Sequence, residues 1–121
     1  MASTKELIEQ AATQIIDEIP AFERLKLIVR VDLKGRGDEQ IWRLELPGPT
    51  ATKDPAADAK VEVSMLRKHF NELAEIGEVS KWHEAIDNGQ VRASGLEQLL
   101  RLIANVVERH EERAKLKRRR V

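Results

Sequence analysis

The chain has 121 residues, no cysteine, and a formal net charge of zero from 21 basic and 21 acidic side chains. This length fits one domain that buries its own core, and the lack of cysteine excludes disulfides and thiolate metal sites. Two phenylalanines and two tryptophans are the whole aromatic content. With a neutral charge balance, this argues against a nucleic-acid-binding domain. No apolar run is long enough to span a bilayer, so we expect a soluble, cytoplasmic protein.

Charge is unevenly distributed along the chain. Residues 109–121 carry seven basic and two acidic side chains, a net of +5, which leaves −5 for residues 1–108. We interpret residues 1–121 as a single domain, with a core over 4–110 and a basic C-terminal tail over 111–121. The tail is either a solvated, frayed helix end or a contact for anionic lipid headgroups. The candidate membrane-contact residues are Lys115, Lys117, Arg118, Arg119 and Arg120.

A first helix is predicted near the amino terminus. Ser3 and Glu6 have the spacing of a capping box, and Pro20 is expected to end the helix. Between them one apolar stripe recurs at helical spacing. Its members are Leu7, Ile8, Ala11, Ala12, Ile15, Ile16 and Ile19.

After Pro20 the spacing of apolar residues changes from the helical period to every second residue. Apolar and polar residues alternate over 25–33 and over 41–46, and a glycine-containing turn at 35–38 joins the two runs. This pattern predicts a hairpin with one face in water. Three of the four prolines lie in 47–55, which is therefore predicted to be a long polar loop. Alternation over 59–65 predicts a third strand.

The second half of the chain is predicted to be mostly helical. One helix begins near Leu66 and ends at Gly77, and a shorter one ends at Asn88 and Gly89. A strand is predicted at 90–94. Ser94 and Glu97 then have capping-box spacing, and the final helix is expected to fray after about His110. The order α-β-β-β-α-α-β-α predicts an α+β domain: one antiparallel or mixed sheet of four to five strands with helices on one face.

Catalytic and metal-binding patterns are absent from the sequence. The three histidines are scattered and form no i, i+4 pair, so we predict no metal and no cofactor. His83 fits either a pocket base or a half-buried core histidine, and the second interpretation is favoured. The serines at 3, 64 and 94 precede helical segments, where N-capping explains them. We therefore predict a protein that is not an enzyme.

Three segments, in this order and spacing, resemble the sterol carrier protein type 2 (SCP-2-like) family over roughly residues 4–110. The first is the strand IWRLEL at 41–46. The second is the strand AKVEVSM, which runs directly into the helix LRKHFNELAEIG over 59–77. The third is the glycine-flanked strand NGQVRASG at 88–95, which leads into an apolar last helix.

The resemblance implies a non-enzymatic carrier that binds a lipid-like ligand (fatty acyl, sterol or isoprenoid) in a tunnel between sheet and helices. It offers no catalytic residues. The chain has leucine, isoleucine and valine where the family often has aromatic residues and methionine. The alternative is an interaction module with a closed core, acting as a homodimer or as an accessory to a lipid or isoprenoid biosynthetic enzyme. The candidate tunnel-lining residues are Trp42, Leu44, Phe70, Leu73, Trp82, Ile86, Leu99, Ile103 and Val106.

Overall fold

The structure, a computed structural model, describes residues 3–35, 37–46 and 48–119, without the side chains of 117–119. Four α-helices, one 3-10 helix and five strands follow one another along these residues. They are α1 (Thr4–Glu18), the 3-10 helix (Pro20–Arg24), β1 (Ile28–Lys34), β2 (Glu39–Glu45), β3 (Thr50–Lys53), β4 (Val61–Leu66), α2 (Arg67–Ile76), α3 (Val79–Asp87), β5 (Val91–Gly95) and α4 (Glu97–Arg119). The predicted α+β class is confirmed, with one mixed sheet and helices packed against it.

The first helix has the predicted cap. The Glu6 backbone N–H donates to the Ser3 hydroxyl at 3.2 Å, which satisfies a donor that the helix itself leaves unpaired. Ile8, Ala11, Ala12 and Ile16 are buried along the predicted stripe. The helix ends before Pro20, which begins the 3-10 helix, because proline suits a first helical position and cannot continue the preceding ladder.

The strands form one sheet in the order β3-β2-β1-β4-β5. The β1–β2 hairpin is antiparallel, with Val31 opposite Trp42, and the Gly35 N–H donates to the Asp38 carbonyl at 2.9 Å in the turn. In the centre β1 and β4 are parallel, with Val31 opposite Val63. The chain crosses over between these two strands through β2 and β3. β5 pairs antiparallel with β4 and forms one edge of the sheet.

The prediction of a long polar loop over residues 47–55 is wrong in part. Thr50–Lys53 forms β3, which pairs antiparallel with β2 and places Ala51 opposite Leu44. The prolines flank this strand rather than interrupt it, so all four of its residues have a backbone N–H to donate. The Ala51 N–H donates to the Glu9 carboxylate of α1 at 2.9 Å, which ties this edge to the helical layer.

One face of the sheet packs against the helices and forms the main core. Helix α2 ends as predicted at Gly77, which has φ 68° and lets the chain adopt the left-handed turn that terminates a helix. Side chains of β1, β2, β3, β4 and β5 contact those of α1, α2 and α3 in this core. The buried strand residues are Val29, Val31, Leu33, Trp42, Leu44, Ala51, Val61, Met65 and Val91.

Two predictions about the beginning and end of α4 are wrong. The helix begins at Glu97, and Ser94 lies inside β5, so Ser94 and Glu97 do not form a capping box. Ser64 likewise lies inside β4 rather than at a helix cap. At its other end α4 continues to Arg119, beyond the predicted fraying at about His110.

Gly95 fixes where the last helix leaves the sheet. Its φ is 137°, and an added Cβ would lie 2.2 Å from the Lys60 carbonyl oxygen. The same Lys60 carbonyl accepts a hydrogen bond from the Leu96 N–H at 3.0 Å. Only glycine fits this approach, and the chain turns here from β5 into α4.

Candidate functional site

Helix α4 packs more loosely than the other helices. None of its side chains from Glu97 to Leu116 is buried, whereas α1, α2 and α3 each bury at least two residues. Yet α4 carries a long apolar stripe, and two of its leucines, Leu102 and Leu116, are 42% and 58% exposed. The apolar stripe of α4 therefore packs against the core but stays partly exposed.

The inner face of the sheet is also incompletely covered beneath α4. Val61 and Met65 of β4 are buried, but Val63 between them is only partly buried, and its cross-strand partner Ala93 is exposed. Four other partly buried side chains, one from α3 and three from α4, pack against the main core. We call this set of residues the apolar gap: Val63, Trp82, Leu99, Leu100 and Ile103.

The predicted tunnel-lining residues fall into three groups. Trp42, Leu44, Phe70 and Leu73 are buried in the main core. Phe70 also makes an edge-to-face contact with Trp82, with ring centroids 6.1 Å apart. The others lie at the surface of the helical layer.

Three of those remaining residues belong to α4 and two to α3. Leu99 and Ile103, with Trp82, pack against the main core from outside. Val106 packs against a second cluster formed by Ile16, Ile19, Phe22 and Val79. Ile86 lies apart from both clusters and is 43% exposed. Trp82, Leu99 and Ile103 therefore belong to the apolar gap, whereas Val106 and Ile86 lie outside it.

A polar groove, which the sequence did not predict, lies between the end of α1, α3 and the C-terminal half of α4. Its volume is about 900 Å³. His83 of α3 binds Glu111 of α4 through Nδ1 at 2.8 Å, and His110 of α4 binds Glu18 of α1 through Nε2 at 3.1 Å. The residues lining this polar groove are Glu18, Glu78, Ser80, His83, Glu84, Asp87, Asn88, His110, Glu111, Ala114 and Lys115.

The groove changes the interpretation of His83. His83 is partly buried and lines this groove, where it faces carboxylates rather than apolar side chains of the core. The hydrogen bond to Glu111 raises the pKa of His83 above its usual value, and partial burial opposes this. The charges of Glu111, Asp87 and Glu108 also raise it. An available sequence signal was that residues 107, 110, 111 and 114 continue the helical spacing of the apolar stripe.

The outer face of the sheet is polar and makes ion pairs across strands. Arg43 of β2 donates to both carboxylate oxygens of Asp58, at 3.1 and 2.9 Å, and so ties the loop before β4 to the sheet. This bidentate pair lowers the pKa of Asp58. A second cleft of about 230 Å³ near that loop is lined by charged residues, alanines and glycine. Neither cleft offers an apolar lining for a hydrocarbon chain.

The predicted tail contacts fall mostly outside the described side chains. Lys115 lines the polar groove. The side chains of Lys117, Arg118 and Arg119 and the whole of Arg120 lie outside the described residues. Contact of this tail with an anionic membrane stays a prediction.

None of the helices in the described part of the chain is both long and apolar enough to cross a membrane. No group of three or more histidine and carboxylate ligands is placed there to hold a metal ion.

No family model matches the sequence. No curated protein matches it significantly. Solved structures do match. The palmitated SCP2L2 of Aedes aegypti matches with a TM-score of 0.56 and 16% identity, over 83% of this chain and 93% of that one.

Two further structures match in the same way. Sterol carrier protein domain 2 of Helicoverpa armigera has a TM-score of 0.58 and 13% identity, over 88% of this chain and 84% of that chain. A ubiquinone synthesis protein, UbiJ-SCP2, has a TM-score of 0.50 and 16% identity, over 92% of this chain and 97% of that chain. Identities this low establish the architecture alone. The chain has the fold of the sterol carrier protein type 2 domains.

Proposed function

We propose that the chain is a non-enzymatic carrier that binds a lipid-like molecule with one hydrocarbon chain in the apolar gap, between the sheet and α4. The observation that carries this proposal is the loose packing of α4, whose apolar stripe is nowhere buried from Glu97 to Leu116. A closed core would bury such a stripe, because each buried leucine or isoleucine contributes about 1.5–3 kcal/mol. A hydrocarbon chain inserted beneath α4 would supply that missing contact.

The residues around the gap suit an acyl or isoprenoid chain. Val63, Leu99 and Ile103 present hydrocarbon, and Trp82 adds a large aromatic surface. Apolar ligand sites have this kind of lining with few polar anchors. The Aedes aegypti structure of the same fold is described as palmitated, which makes a fatty acyl chain the first ligand to test.

Binding can be tested with purified protein. Mass spectrometry of an organic extract from the denatured protein is expected to show a co-purifying lipid, and a fluorescent fatty acid is expected to bind at about micromolar concentration. Val63→Phe fills the gap from the sheet side and should weaken this binding by on the order of tenfold. Leu102→Phe is the matched control. The Leu102 side chain on α4 is 42% exposed, so this change should leave fatty-acid binding unchanged.

The proposal fails if several preparations yield no lipid and the probe does not bind. Circular dichroism of Val63→Phe is needed alongside, so that lost binding is not confused with lost folding. The alternative of an interaction module would cover the same stripe of α4 with a second copy of the chain. A dimer in light scattering, together with no lipid binding, would support that alternative.

A further inference from the structure

The C-terminal half of α4 is attached to the rest of the domain by two contacts between a histidine and a carboxylate. His83 of α3 contacts Glu111 of α4 at 2.8 Å, and His110 of α4 contacts Glu18 of α1 at 3.1 Å. All four side chains are about one-third exposed, between 30% and 33%. The contacts therefore form at the rim of the polar groove rather than inside the core.

Apolar packing ends before these contacts along α4. Val106 and Val107 are the last residues of the stripe that pack against the second cluster. Beyond them, the side chains that face the groove are His110, Glu111, Ala114 and Lys115. The histidine contacts therefore follow directly after the last apolar contacts of α4.

The surroundings of the two histidines are strongly acidic. Glu18 comes from α1, Glu78 precedes α3, and Asp87 of α3 lies 3.5 Å from His83 Nε2. Glu78 and Glu84 are exposed, and Lys115 of α4 is the basic side chain among the residues that line the groove. The charged or titratable groups facing the histidines are Glu18 of α1, Glu78, Glu84 and Asp87 at α3, and Glu108, Glu111 and Lys115 of α4.

We propose that the His83–Glu111 contact is a pH-sensitive latch that, beside the His110–Glu18 contact, holds the C-terminal half of α4 against α1 and α3 and thereby controls access to the apolar gap. The control of access rests on the proposed carrier function. The latch itself is a property of the fold and can be measured without any ligand.

The direction of the pH dependence follows from charge. Protonated His83 pairs with the Glu111 carboxylate, and the folded-state pKa of His83 is raised. Its stabilising contribution is therefore full below the unfolded pKa of about 6.5 and is lost as the pH rises through the higher folded value. Deprotonation leaves a neutral ring in an acidic groove, and the latch loosens on the alkaline side.

Hydrogen exchange of the ligand-free protein tests the latch. Protection factors for amides 108–116, normalised to those of β1, should fall several-fold between about pH 6 and about pH 8.5. His83→Gln should abolish this pH dependence, because glutamine does not titrate, and Glu111→Gln should weaken it, because His83 loses its hydrogen-bonded carboxylate but keeps Asp87 nearby. His69→Gln, on α2 and outside the groove, is the matched control and should retain it. Protection that does not change with pH in the unmodified chain overturns the latch.

Uptake of Nile red, a neutral probe with no carboxylate of its own, tests the control of access. Its association rate should be several-fold higher at about pH 8.5 than at about pH 6, and His83→Gln should remove the difference. If hydrogen-exchange protection depends on pH but the uptake rate of Nile red does not, the proposal that the latch controls access to the apolar gap is overturned. If no apolar probe binds at any pH, the carrier proposal fails and control of access fails with it, while the exchange result still decides the latch.

Discussion

Asp32 is a buried carboxylate on the face of β1 that strand alternation predicts to be in water. It is 5% exposed, and its Oδ1 atom accepts no hydrogen bond from the described residues. Strand pairing places it between Ile41 of β2 and Ser64 of β4. A hydrogen bond from Glu39 to Asp32, together with the charge of Asp32, raises the pKa of Glu39. The two carboxylates therefore oppose each other at neutral pH.

Replacing Glu39 should relieve this opposition. Because the pKa of Glu39 is raised on folding, the folded state binds a proton more readily, and stability falls as the pH rises through that range. Glu39→Gln should therefore raise Tm at about pH 7, by on the order of 1 °C. The gain should vanish at about pH 3, where the carboxyl is protonated in both states. Thermal unfolding by circular dichroism at both pH values measures this.

Glu45→Gln is the matched control for that substitution. Glu45 lies on the same strand but pairs with Arg43 at 3.3 Å, so its carboxylate is stabilising or neutral rather than opposed. We expect no gain in Tm from this change. An equal gain from both variants would mean that the effect comes from removing negative charge in general and not from the neighbouring Asp32.

At the scale of elements, α4 should contribute less to stability than its length suggests. Ile103 contacts both apolar clusters but stays partly exposed, whereas Leu33 in β1 is 0% exposed. We expect Ile103→Ala to cost about 1 kcal/mol of unfolding free energy and Leu33→Ala about 3 kcal/mol. Urea unfolding of both variants gives the comparison. Equal costs would show that α4 is packed as tightly as the sheet.

Most elements could be predicted from local patterns, because caps and apolar periods decide them. Ser3 and Pro20 bound α1, and Gly77 ends α2. β3 was missed because four residues are too few to show a period, and what holds them is pairing with β2 and the Glu9 carboxylate. The end of α4 was missed because its apolar stripe stops at Val107, while polar contacts continue it.

The candidate site divides in the same way. Apolar residues such as Phe70 and Leu73 could be assigned to the interior, since a helical stripe identifies the face that turns inward. An apolar stripe does not indicate how tightly its helix packs. The partial exposure of Leu99 and Ile103 could therefore be seen only in the structure. The polar groove brings together residues of α1, α3 and α4, including Glu18 and His110, which are 92 positions apart, and no local sequence pattern predicts such a contact.

At the scale of the whole molecule, a bound lipid should stabilise the fold. A ligand that binds only the folded state at one hundred times its Kd adds about 2.7 kcal/mol to the unfolding free energy. Palmitate at saturating concentration should therefore raise Tm by several degrees. Hexanoate, which has the same headgroup and a shorter chain, is the control and should have a much smaller effect. An unchanged Tm with palmitate would contradict a ligand site in this domain.

The parallel pairing of β1 with β4 also has a consequence for how the chain folds. Residues 1–53 hold α1 and the meander of β1, β2 and β3, but the other edge of β1 has no partner until residues 61–66 are added. During synthesis this edge is open while Val29, Val31 and Leu33 already present an apolar face. The centre of the sheet is thus completed late in synthesis. Aggregation and binding by chaperones are therefore most expected while only the first half of the chain has been synthesised.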